Sequence, residues 1–389
     1  MLPQELSTSY EVSDAMGKVH LTTSALSIEV YKASGEISFY RADGTPLALE
    51  GHSAFTPIKV EGKEAWSTSV QFAPREEEAF YGLGQHQAGE FNHKGRQEEL
   101  YQYNTKVSVP LIVSSDGYGL LMDAYSLGRW GTDQPYRQLG EVFDLDLTGT
   151  YKGGDGKVLV QKEDRLFYEN EFVLRNLPDV KLNGGTVTYE GTITAPVTGD
   201  YSFIQYYAGF QSTWIGGKEK MSRRWRPAWN PNSYKFTAHL EAGVPTPLKV
   251  EWEPDGDVSY IGLRVLPAGA VAEGLAFWNE FEPQLDYYFI AGDNYDGVIK
   301  GYRQLTGKAQ VMPKWVLGFW QSRERYATQE DLVETLSEMR RRHIPVDNIV
   351  QDWQYWAEDQ WGSHEFESSR FPDPEKMLDD VHAMNARFM

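Results

Sequence analysis

Apolar and polar residues alternate along the first part of the chain, from about Val19 to Ile112, as they do in β-strands with one buried face. Turn dipeptides at Ser34-Gly35 and Asp43-Gly44 separate neighbouring runs. The alternating apolar positions include Val19, Leu21, Leu26, Ile28, Val30, Ile37 and Phe39. Short strands at regular spacing predict a β-sandwich.

A second β-rich stretch runs from Thr186 to Leu266, and a glycine-rich segment precedes it. Glycines among lysines and aspartates at 149–156 indicate a linker or a loop at a domain boundary. We therefore expect one domain over residues 1–149 and an inserted domain over 150–268.

Residues 269–313 form a connector with two alternative roles. The strand-like run Leu285–Ile290 either returns to the first sandwich or bridges to the next domain. A short helix is predicted over Asn294–Leu305, with Val298, Ile299 and Tyr302 facing inward.

From Lys314 onward the pattern changes to alternating strands and helices. The apolar run Trp315–Trp320 lacks alternation, as a strand buried on both faces does. Thr328 is placed to cap a helix that Pro345 ends, and the run Ile344–Val350 supplies a second strand. Because strand, helix and strand follow each other closely, the two strands should be parallel.

The same unit then begins to repeat. Asp373 and Pro374 open a second helix, and Arg387–Met389 resembles the start of a third strand. Residues 314–389 are therefore predicted to be the first βα units of a barrel.

Candidate binding residues follow these strands, at the ends where parallel folds bind their ligands. Asp352 follows the second strand, with aromatic neighbours around it, and the sequence predicts Trp320 and Arg325 at the same end of the first. A carboxylate among aromatic rings and arginines is typical of a sugar site. The alternative is that the rings close the top of the barrel while Asp352 caps the next segment.

Composition narrows the choice of partners. The 389 residues carry 37 basic and 56 acidic side chains, a net charge of -19, which disfavours nucleic acid and anionic lipid as partners. Aromatic residues reach 14%, which favours carbohydrate binding or tyrosine-rich sandwiches. There is no cysteine and no long apolar run for a membrane span.

Two further expectations concern localisation and metals. The start Met1–Glu5 does not look like a signal peptide, so we expect a cytoplasmic protein, or a periplasmic or extracellular one if a leader has been removed. His86 and His93 have no third ligand at a recognisable spacing, so we expect no metal and no cofactor.

Several motifs resemble glycoside hydrolase family 31, whose members are retaining α-glucosidases, α-xylosidases and relatives. The opening of its catalytic (β/α)8 barrel is similar to Gly318-Phe319-Trp320, Gln351–Trp356 and Arg370–Pro374. The segment Phe80–Gln85 resembles part of the family's amino-terminal mutarotase-like sandwich. A loop of that sandwich reaches the barrel mouth in the family, and Tyr101–Asn104 is our candidate for it, with a buried hairpin as the alternative.

This resemblance implies roles for the residues around Asp352. The matching aspartate of the family binds hydroxyls of the sugar, and the residues matching Trp353 and Gln354 line the same pocket. We predict a substrate site formed by Asp352, Trp353, Gln354, Trp320, Arg325 and Trp356. Both catalytic aspartates of the family lie on later barrel segments, expected beyond Met389, so this chain alone should be inactive.

The middle of the chain resembles a protective-antigen-type module, a β-sandwich often attached to carbohydrate-active proteins. Its order is matched by Thr188–Ile193, Ala195–Phe203, Trp214–Lys218 and Leu240–Trp252. Trp225, Trp229 and Tyr234 are predicted to lie in a polar loop of this module, either as a second sugar platform or packed beneath the loop.

The predicted architecture is a mostly β amino-terminal sandwich with an inserted β-sandwich module, followed by the first βα units of a truncated (β/α)8 barrel. The inserted module and the bulky Trp353 favour an α-xylosidase acting on xyloglucan-type oligosaccharides. The alternatives are an α-glucosidase or a non-catalytic carbohydrate-binding protein. The expected partner is an oligosaccharide substrate, and a homo-oligomer is left open.

Overall fold

The computed structural model describes residues 9–86, 89–102, 106–170, 182, 184–229, 233–256, 258–270 and 275–389. The chain divides into two compact units, Met1–Gly307 and Lys308–Met389. No helix in these described ranges is long and apolar enough to cross a membrane.

The first part of the larger unit consists of short antiparallel strands. In chain order they are β1 (Glu11–Ala15), β2 (Lys18–Thr22), β3 (Leu26–Tyr31), β4 (Ile37–Arg41), β5 (Pro46–Val60), β6 (Lys63–Phe72), β7 (Phe80–Gln85), β8 (Glu98–Leu100), β9 (Val107–Ser114), β10 (Tyr118–Met122) and β11 (Gly128–Trp130). Most of their buried side chains, among them Phe72, Phe80 and Trp130, form an apolar core, as the alternating pattern predicts. Leu111, Val113 and Leu121 of β9 and β10 belong to a second, smaller cluster.

The Tyr-Gly-Leu-Gly part of Phe80–Gln85 forms an irregularity in β7. The register against β9 shifts between Gly82 and Gly84. At Gly84, φ is +92° and a Cβ would lie 1.9 Å from the Val107 carbonyl oxygen, so only glycine fits. The irregularity leaves Leu83 fully buried in the core.

A second group of strands packs around its own core. It comprises β12 (Arg137–Gln138), the short helix α1 (Leu139–Val142), β13 (Asp144–Lys152), β14 (Val158–Glu163), β15 (Phe167–Asn170), β16 (Thr186–Thr194), β17 (Gly199–Tyr207), β18 (Gly209–Ile215), β19 (Lys218–Arg226), β20 (Ser233–Leu240), β21 (Pro245–Glu253) and β22 (Ser259–Leu266). One sheet has the order β14-β13-β16-β21-β18-β19, and the other is built on β12-β22-β17-β20. Alternate residues of β17, such as Tyr201, Phe203 and Tyr207, enter the core between the sheets.

The structure contradicts the predicted linker at 149–156. Gly149 lies within β13, and Gly153 donates its N–H to the Lys157 carbonyl 3.0 Å away in the turn to β14. Glycine at 149 has a packing cause, because a Cβ there would lie 2.7 Å from an Asp164 carboxylate oxygen. The predicted boundary at residue 150 thus falls inside a strand, and we propose Arg137 as the start of this second sandwich. Its assignment as a protective-antigen-type module stays a prediction.

The chain then returns to the first sandwich, which decides between the two roles open for 269–313. β23 (Leu275–Glu282) lies between β6 and β11, and β24 (Tyr287–Ala291) pairs with β10. Helix α2 (Tyr295–Thr306) follows, with the Asn294 side chain capping its first turn. Val298 is buried and Tyr302 packs against the same cluster, as predicted, but Ile299 is 45% exposed and is not part of that cluster.

The smaller unit has the predicted parallel order. β25 (Trp320–Arg323), helix α3 (Gln329–Arg341), β26 (Asn348–Gln351), helix α4 (Pro374–Ala383) and β27 (Arg387–Phe388) follow one another, and β26 pairs in parallel with both neighbours. The Thr328 cap is confirmed, because its hydroxyl accepts from the Asp331 N–H. Asp373, predicted to open the second helix, caps α4 by accepting from the Lys376 N–H. Leu332, Leu336, Met377 and Val381 are buried on the inner faces of the helices.

The bounds of the first two parallel strands were predicted wrongly. Lys314–Leu317 forms a 3₁₀ turn, Leu317 is 81% exposed, and β25 begins only at Trp320. The Phe319 N–H donates to the Asp347 carboxylate, and the Asp347 N–H donates to the Phe319 carbonyl, so pairing starts beyond these residues. Ile344 is also exposed, and β26 starts at Asn348. An apolar run without alternation does not distinguish a buried strand from such a turn.

Candidate functional site

Asp352 is the first residue after β26, at the carboxyl end of the parallel strands. Its side chain is exposed, and within the described part of the chain its carboxylate makes no hydrogen bond or ion pair. The predicted alternative, that Asp352 caps the following segment, therefore has no hydrogen bond to support it. Both carboxylate oxygens are free to accept hydrogen bonds from a ligand.

A cavity of about 440 Å³ opens beside this carboxylate. This volume lies within the usual range of small-molecule sites. Asp352, Tyr355, His364 and Phe366 are among the lining residues. The side chains therefore offer both a charged acceptor and ring surfaces, the combination that a sugar requires.

Three predicted site residues lie together next to Asp352. The Arg325 guanidinium carbon is 5.4 Å from the centroid of the Trp353 ring, and Arg325 Nη1 donates to Gln354 Oε1. Trp353 and Gln354 are half-buried, whereas Arg325 is exposed. Arg325 thus fixes the two side chains that the family resemblance assigns to the pocket.

Trp356 contributes from within the protein. It is only 9% exposed and packs against Tyr355 and Trp361, with ring centroids 5.0 and 5.6 Å away. We therefore propose that Trp356 supports the rings of Tyr355 and Trp361.

The position predicted for Trp320 is wrong. It is the first residue of β25 and pairs with Asn348, the first residue of β26, so it lies at the opposite end of the strands from Asp352. Its indole N–H donates to the Val316 carbonyl 3.0 Å away. The error follows from the misplaced strand, which made a starting residue look like a terminal one.

His364 and Phe366 line the cavity but were not predicted as site residues. They lie in an irregular segment without hydrophobic periodicity, so no pattern in the sequence singles them out. Tyr355, which the sequence placed near Asp352, contacts His364 through its hydroxyl at 3.4 Å.

Comparison with known proteins places these features in a family. A profile described as the family 31 glycosyl hydrolase N-terminal galactose mutarotase-like domain matches residues 2–130. Another, the glycosyl hydrolases family 31 TIM-barrel domain, matches residues 309–389. The chain belongs to glycoside hydrolase family 31. Its first sandwich and its parallel unit are therefore the mutarotase-like domain and the opening part of the barrel.

Among the relatives of this family 31 chain, an α-xylosidase of Saccharolobus solfataricus is 46% identical over 113 residues, covering 29% of this chain and 16% of the relative. An α-glucosidase of the same organism is 30% identical over 108 residues, covering 28% and 15%. The crystal structure of a family 31 α-xylosidase from Xanthomonas citri is 37% identical, with a TM-score of 0.89 over 98% of this chain and 43% of that one. The chain thus spans less than half the length of each.

The rings predicted as a second sugar platform divide into two classes. Trp225, at the end of β19, is 48% exposed, and its indole N–H donates to an Asp255 carboxylate oxygen. Trp229 is 70% exposed in the following turn. Tyr234 lies in β20 rather than in a loop, packs on Tyr207 and is hydrogen-bonded by Arg226. Only the two tryptophans offer free ring faces.

His86 lies in a buried cluster of charges between the two sandwiches of the larger unit. His86 Nδ1 and Lys106 Nζ are 3.3 and 3.2 Å from Glu98 Oε1, and Lys235 Nζ from β20 is 2.7 Å from Glu98 Oε2. A cavity of about 30 Å³ beside them has room for a water molecule only. Within the described residues no group of three or more His, Asp or Glu is arranged to hold a metal ion.

Electrostatics in this cluster favour the ionised carboxylate. Burial disfavours the charge of Glu98, but the contact with His86 and the charges of Lys235 and Lys106 outweigh it and hold the pKa of Glu98 well below its usual range. His93 is buried near the same charges, and burial is the largest effect that lowers its pKa.

The candidate loop at Tyr101–Asn104 is only partly within the described residues, because Tyr103 and Asn104 lie outside them. Its first part is braced: Gln102 Nε2 donates to the Ser108 carbonyl at 2.8 Å, and the Ser108 N–H donates to Gln102 Oε1 at 3.1 Å. Its approach to the barrel mouth stays a prediction.

Proposed function

We propose that the protein containing this chain is a retaining glycoside hydrolase that cleaves α-glycosidic bonds, and that it is an α-xylosidase acting on xyloglucan-type oligosaccharides. The observation that carries the proposal is the free, exposed carboxylate of Asp352 at the carboxyl end of β26, beside a cavity lined by rings. The likeness to a crystallised α-xylosidase at 37% identity over 98% of this chain supports this substrate class.

In this proposal Asp352 binds and does not react. Its carboxylate accepts hydrogen bonds from two sugar hydroxyls. Trp353 and Gln354 follow Asp352 directly but do not line the cavity, and they would contact the sugar at its edge. Retaining hydrolysis needs two carboxyl groups about 5–5.5 Å apart, a nucleophile and an acid/base. We expect both on barrel strands later than β27, so the chain by itself should not turn over an aryl α-glycoside.

Replacing Asp352 by Asn tests the assignment. The amide keeps the size of the side chain but cannot accept two charge-assisted hydrogen bonds. For an aryl α-xyloside, kcat/KM should therefore fall roughly tenfold to more than a hundredfold, a loss of about 1.5–3 kcal/mol in transition-state stabilisation. Steady-state kinetics of the complete protein measure this. Unchanged kinetics in the Asn variant would remove Asp352 from the site.

An α-glucosidase is the second candidate function, because one relative of that activity is 30% identical to part of this chain. Trp353 is the residue that tests which of the two substrates is preferred. A bulky ring next to Asp352 occupies the space that the hydroxymethyl group of glucose needs. Trp353→Ala should therefore shift the xyloside to glucoside ratio of kcat/KM by about tenfold towards glucoside. Trp361→Ala, a change to an exposed neighbouring ring, is the control and should leave the ratio unchanged.

The two exposed tryptophans of the second sandwich complete the proposal. Trp225 and Trp229 would bind sugar units of a longer branched substrate through their exposed rings. The non-catalytic alternative, a carbohydrate-binding protein, would keep these contacts but show no turnover of any α-xyloside by the complete protein.

A further inference from the structure

The segment Asp352–Trp356, called here the Asp352 segment, has no regular secondary structure, yet its backbone is specified. Gln354 has a φ of +51°, the left-handed region that non-glycine residues seldom adopt. Residues held in this region persist where surrounding contacts determine them, and such positions concentrate at functional sites. The conformation of Gln354 therefore depends on the contacts around it.

Every carbonyl group from 353 to 356 accepts a hydrogen bond. Arg370 makes two of these bonds, from Nη1 to the Gln354 carbonyl at 2.8 Å and from Nη2 to the Trp356 carbonyl at 2.7 Å. The Glu367 N–H donates to the Tyr355 carbonyl at 2.8 Å. The Trp353 carbonyl accepts from Gln351 Nε2 at 3.1 Å. A planar guanidinium reaches two carbonyls at once, which an ammonium cannot do with the same geometry.

Arg370 is itself held in place by Glu367. Arg370 Nε lies 3.2 Å from Glu367 Oε2, and the same carboxylate accepts from the N–H and the hydroxyl of Ser369 at 2.9 and 2.7 Å. The hydrogen bonds from Ser369, together with those from Arg370, lower the pKa of Glu367, which keeps it ionised.

The turn that carries these residues is anchored to both helices. The Gln329 N–H at the start of α3 donates to the Arg370 carbonyl at 3.0 Å, and Gln329 Oε1 accepts from the N–H of Asp373, the cap of α4, at 2.8 Å. The adjacent Phe371 is 1% exposed within the apolar core. The position of Arg370 is therefore set by the barrel scaffold.

We propose that Arg370, oriented by Glu367, is a positioning residue that holds the Asp352 segment in the conformation that binds sugar. Neither side chain lines the cavity beside Asp352, so both act through the backbone of the segment. The consequence for catalysis rests on the proposed function, whereas the consequence for the backbone does not.

Two amide protons report on this role without any substrate. The Trp353 N–H donates to the Glu324 carbonyl and the Glu367 N–H to the Tyr355 carbonyl, both at 2.8 Å. In Arg370→Gln both amides should exchange with solvent at least tenfold faster, while amides in the middle of α3 keep their rates. Arg370→Lys retains the charge but not the planar group that reaches two carbonyls. It should therefore restore only part of the protection of these amides against exchange.

Arg342→Gln is the matched control. Arg342 is also an arginine paired with a glutamate three to four residues away, but it is 64% exposed and its partner is Glu338 on α3. This variant should leave the exchange of Trp353 and Glu367 unchanged. Equal acceleration in both variants, or acceleration of α3 to the same degree in Arg370→Gln, would show a general loss of stability and overturn the proposal.

Kinetics of the complete protein separate this inference from the proposed function. In Arg370→Gln, KM for an aryl α-xyloside should rise about tenfold with an unchanged pH profile, and Arg370→Lys should recover part of the loss. Unchanged exchange in a folded Arg370→Gln overturns the positioning role, whatever its activity. Faster exchange in a protein whose wild type hydrolyses no α-glycoside supports the positioning role and overturns the proposed function.

Discussion

Two carboxylates of this chain lie near a cation and an aromatic ring, yet their surroundings differ in every other respect. Asp352 is exposed and without a partner in the described part of the chain, and Arg325 beside it bonds to Gln354 instead. Glu98 is 2% exposed and contacts two lysines and a histidine, with Lys106 lying 4.9 Å from the centroid of the Tyr101 ring.

The difference separates a binding role from a structural one. A buried carboxylate whose oxygens already have partners cannot take a ligand without losing those contacts, and the space beside Glu98 is too small for a sugar. An exposed carboxylate at the end of a strand exchanges water for sugar hydroxyls at little cost. Both residues are carboxylates with similar neighbours in composition. Their hydrogen-bond partners and their burial therefore decide which of them can bind a ligand.

The two carboxylates should differ most in what they contribute to stability. Glu98→Gln leaves Lys106 without its carboxylate partner, and Lys235 keeps only the longer contact with Glu90 at 3.4 Å. The unfolding free energy should therefore fall by about 3 kcal/mol. Asp352→Asn, the same acid-to-amide change, should alter it by less than about 0.5 kcal/mol. Urea denaturation of both variants measures the two values.

Glu99→Gln provides a control one residue from Glu98. The Glu99 side chain is 41% exposed and lies 3.7 Å from Arg129, so its loss should cost at most about 1 kcal/mol. A cost for Glu98→Gln no larger than that of Glu99→Gln would mean that the buried cluster contributes nothing specific.

A smaller effect concerns pH. The folded-state pKa of Glu98 lies below its ordinary value of 4.5, so the stabilisation is present above about pH 4.5 and is lost as the pH falls towards the folded-state value. Once the unfolded chain binds the proton, stability declines by about 1.4 kcal/mol per pH unit through this group. The advantage of wild type over Glu98→Gln should therefore shrink by roughly 2 kcal/mol between about pH 5 and about pH 3.

Unfolding curves at each pH measure this advantage directly, because the remaining carboxylates are common to both proteins. A difference that stays constant over that range would place the folded-state pKa of Glu98 at its unfolded value.

The sequence predicted those parts of the structure that depend on neighbours along the chain. Thr328 was recognised as a cap, and Asp373 with Pro374 as a helix start, because both depend on residues within one turn of the chain. The parallel order of the last strands follows from the short βαβ connections. The exposed Asp352 at a strand end follows from both.

Relations between distant residues could not be predicted in this way. Glu98 and Lys235 are separated by 137 positions, and no pattern links them. Trp320 was misplaced because the end of an apolar run is a weak indicator of where hydrogen bonding begins. Arg370 was recognised only as part of a motif, since its two bonds to carbonyl groups depend on how the Asp352 segment folds back onto the turn at Glu367.

The smallest expected effect tests whether an exposed ring in the second sandwich binds as Asp352 is proposed to do. Trp229→Ala should weaken binding of a xyloglucan-derived oligosaccharide by about threefold to tenfold, on the order of 1 kcal/mol, with little change in KM for an aryl xyloside. Tyr125→Ala is the control, because Tyr125 is 87% exposed but lies in the first sandwich.

A point variant is preferable to deleting the second sandwich, since deletion removes Lys235 and leaves Glu98 with one cation fewer. Titration calorimetry with long and short ligands measures the effect, and equal losses for both lengths would assign Trp229 a structural role.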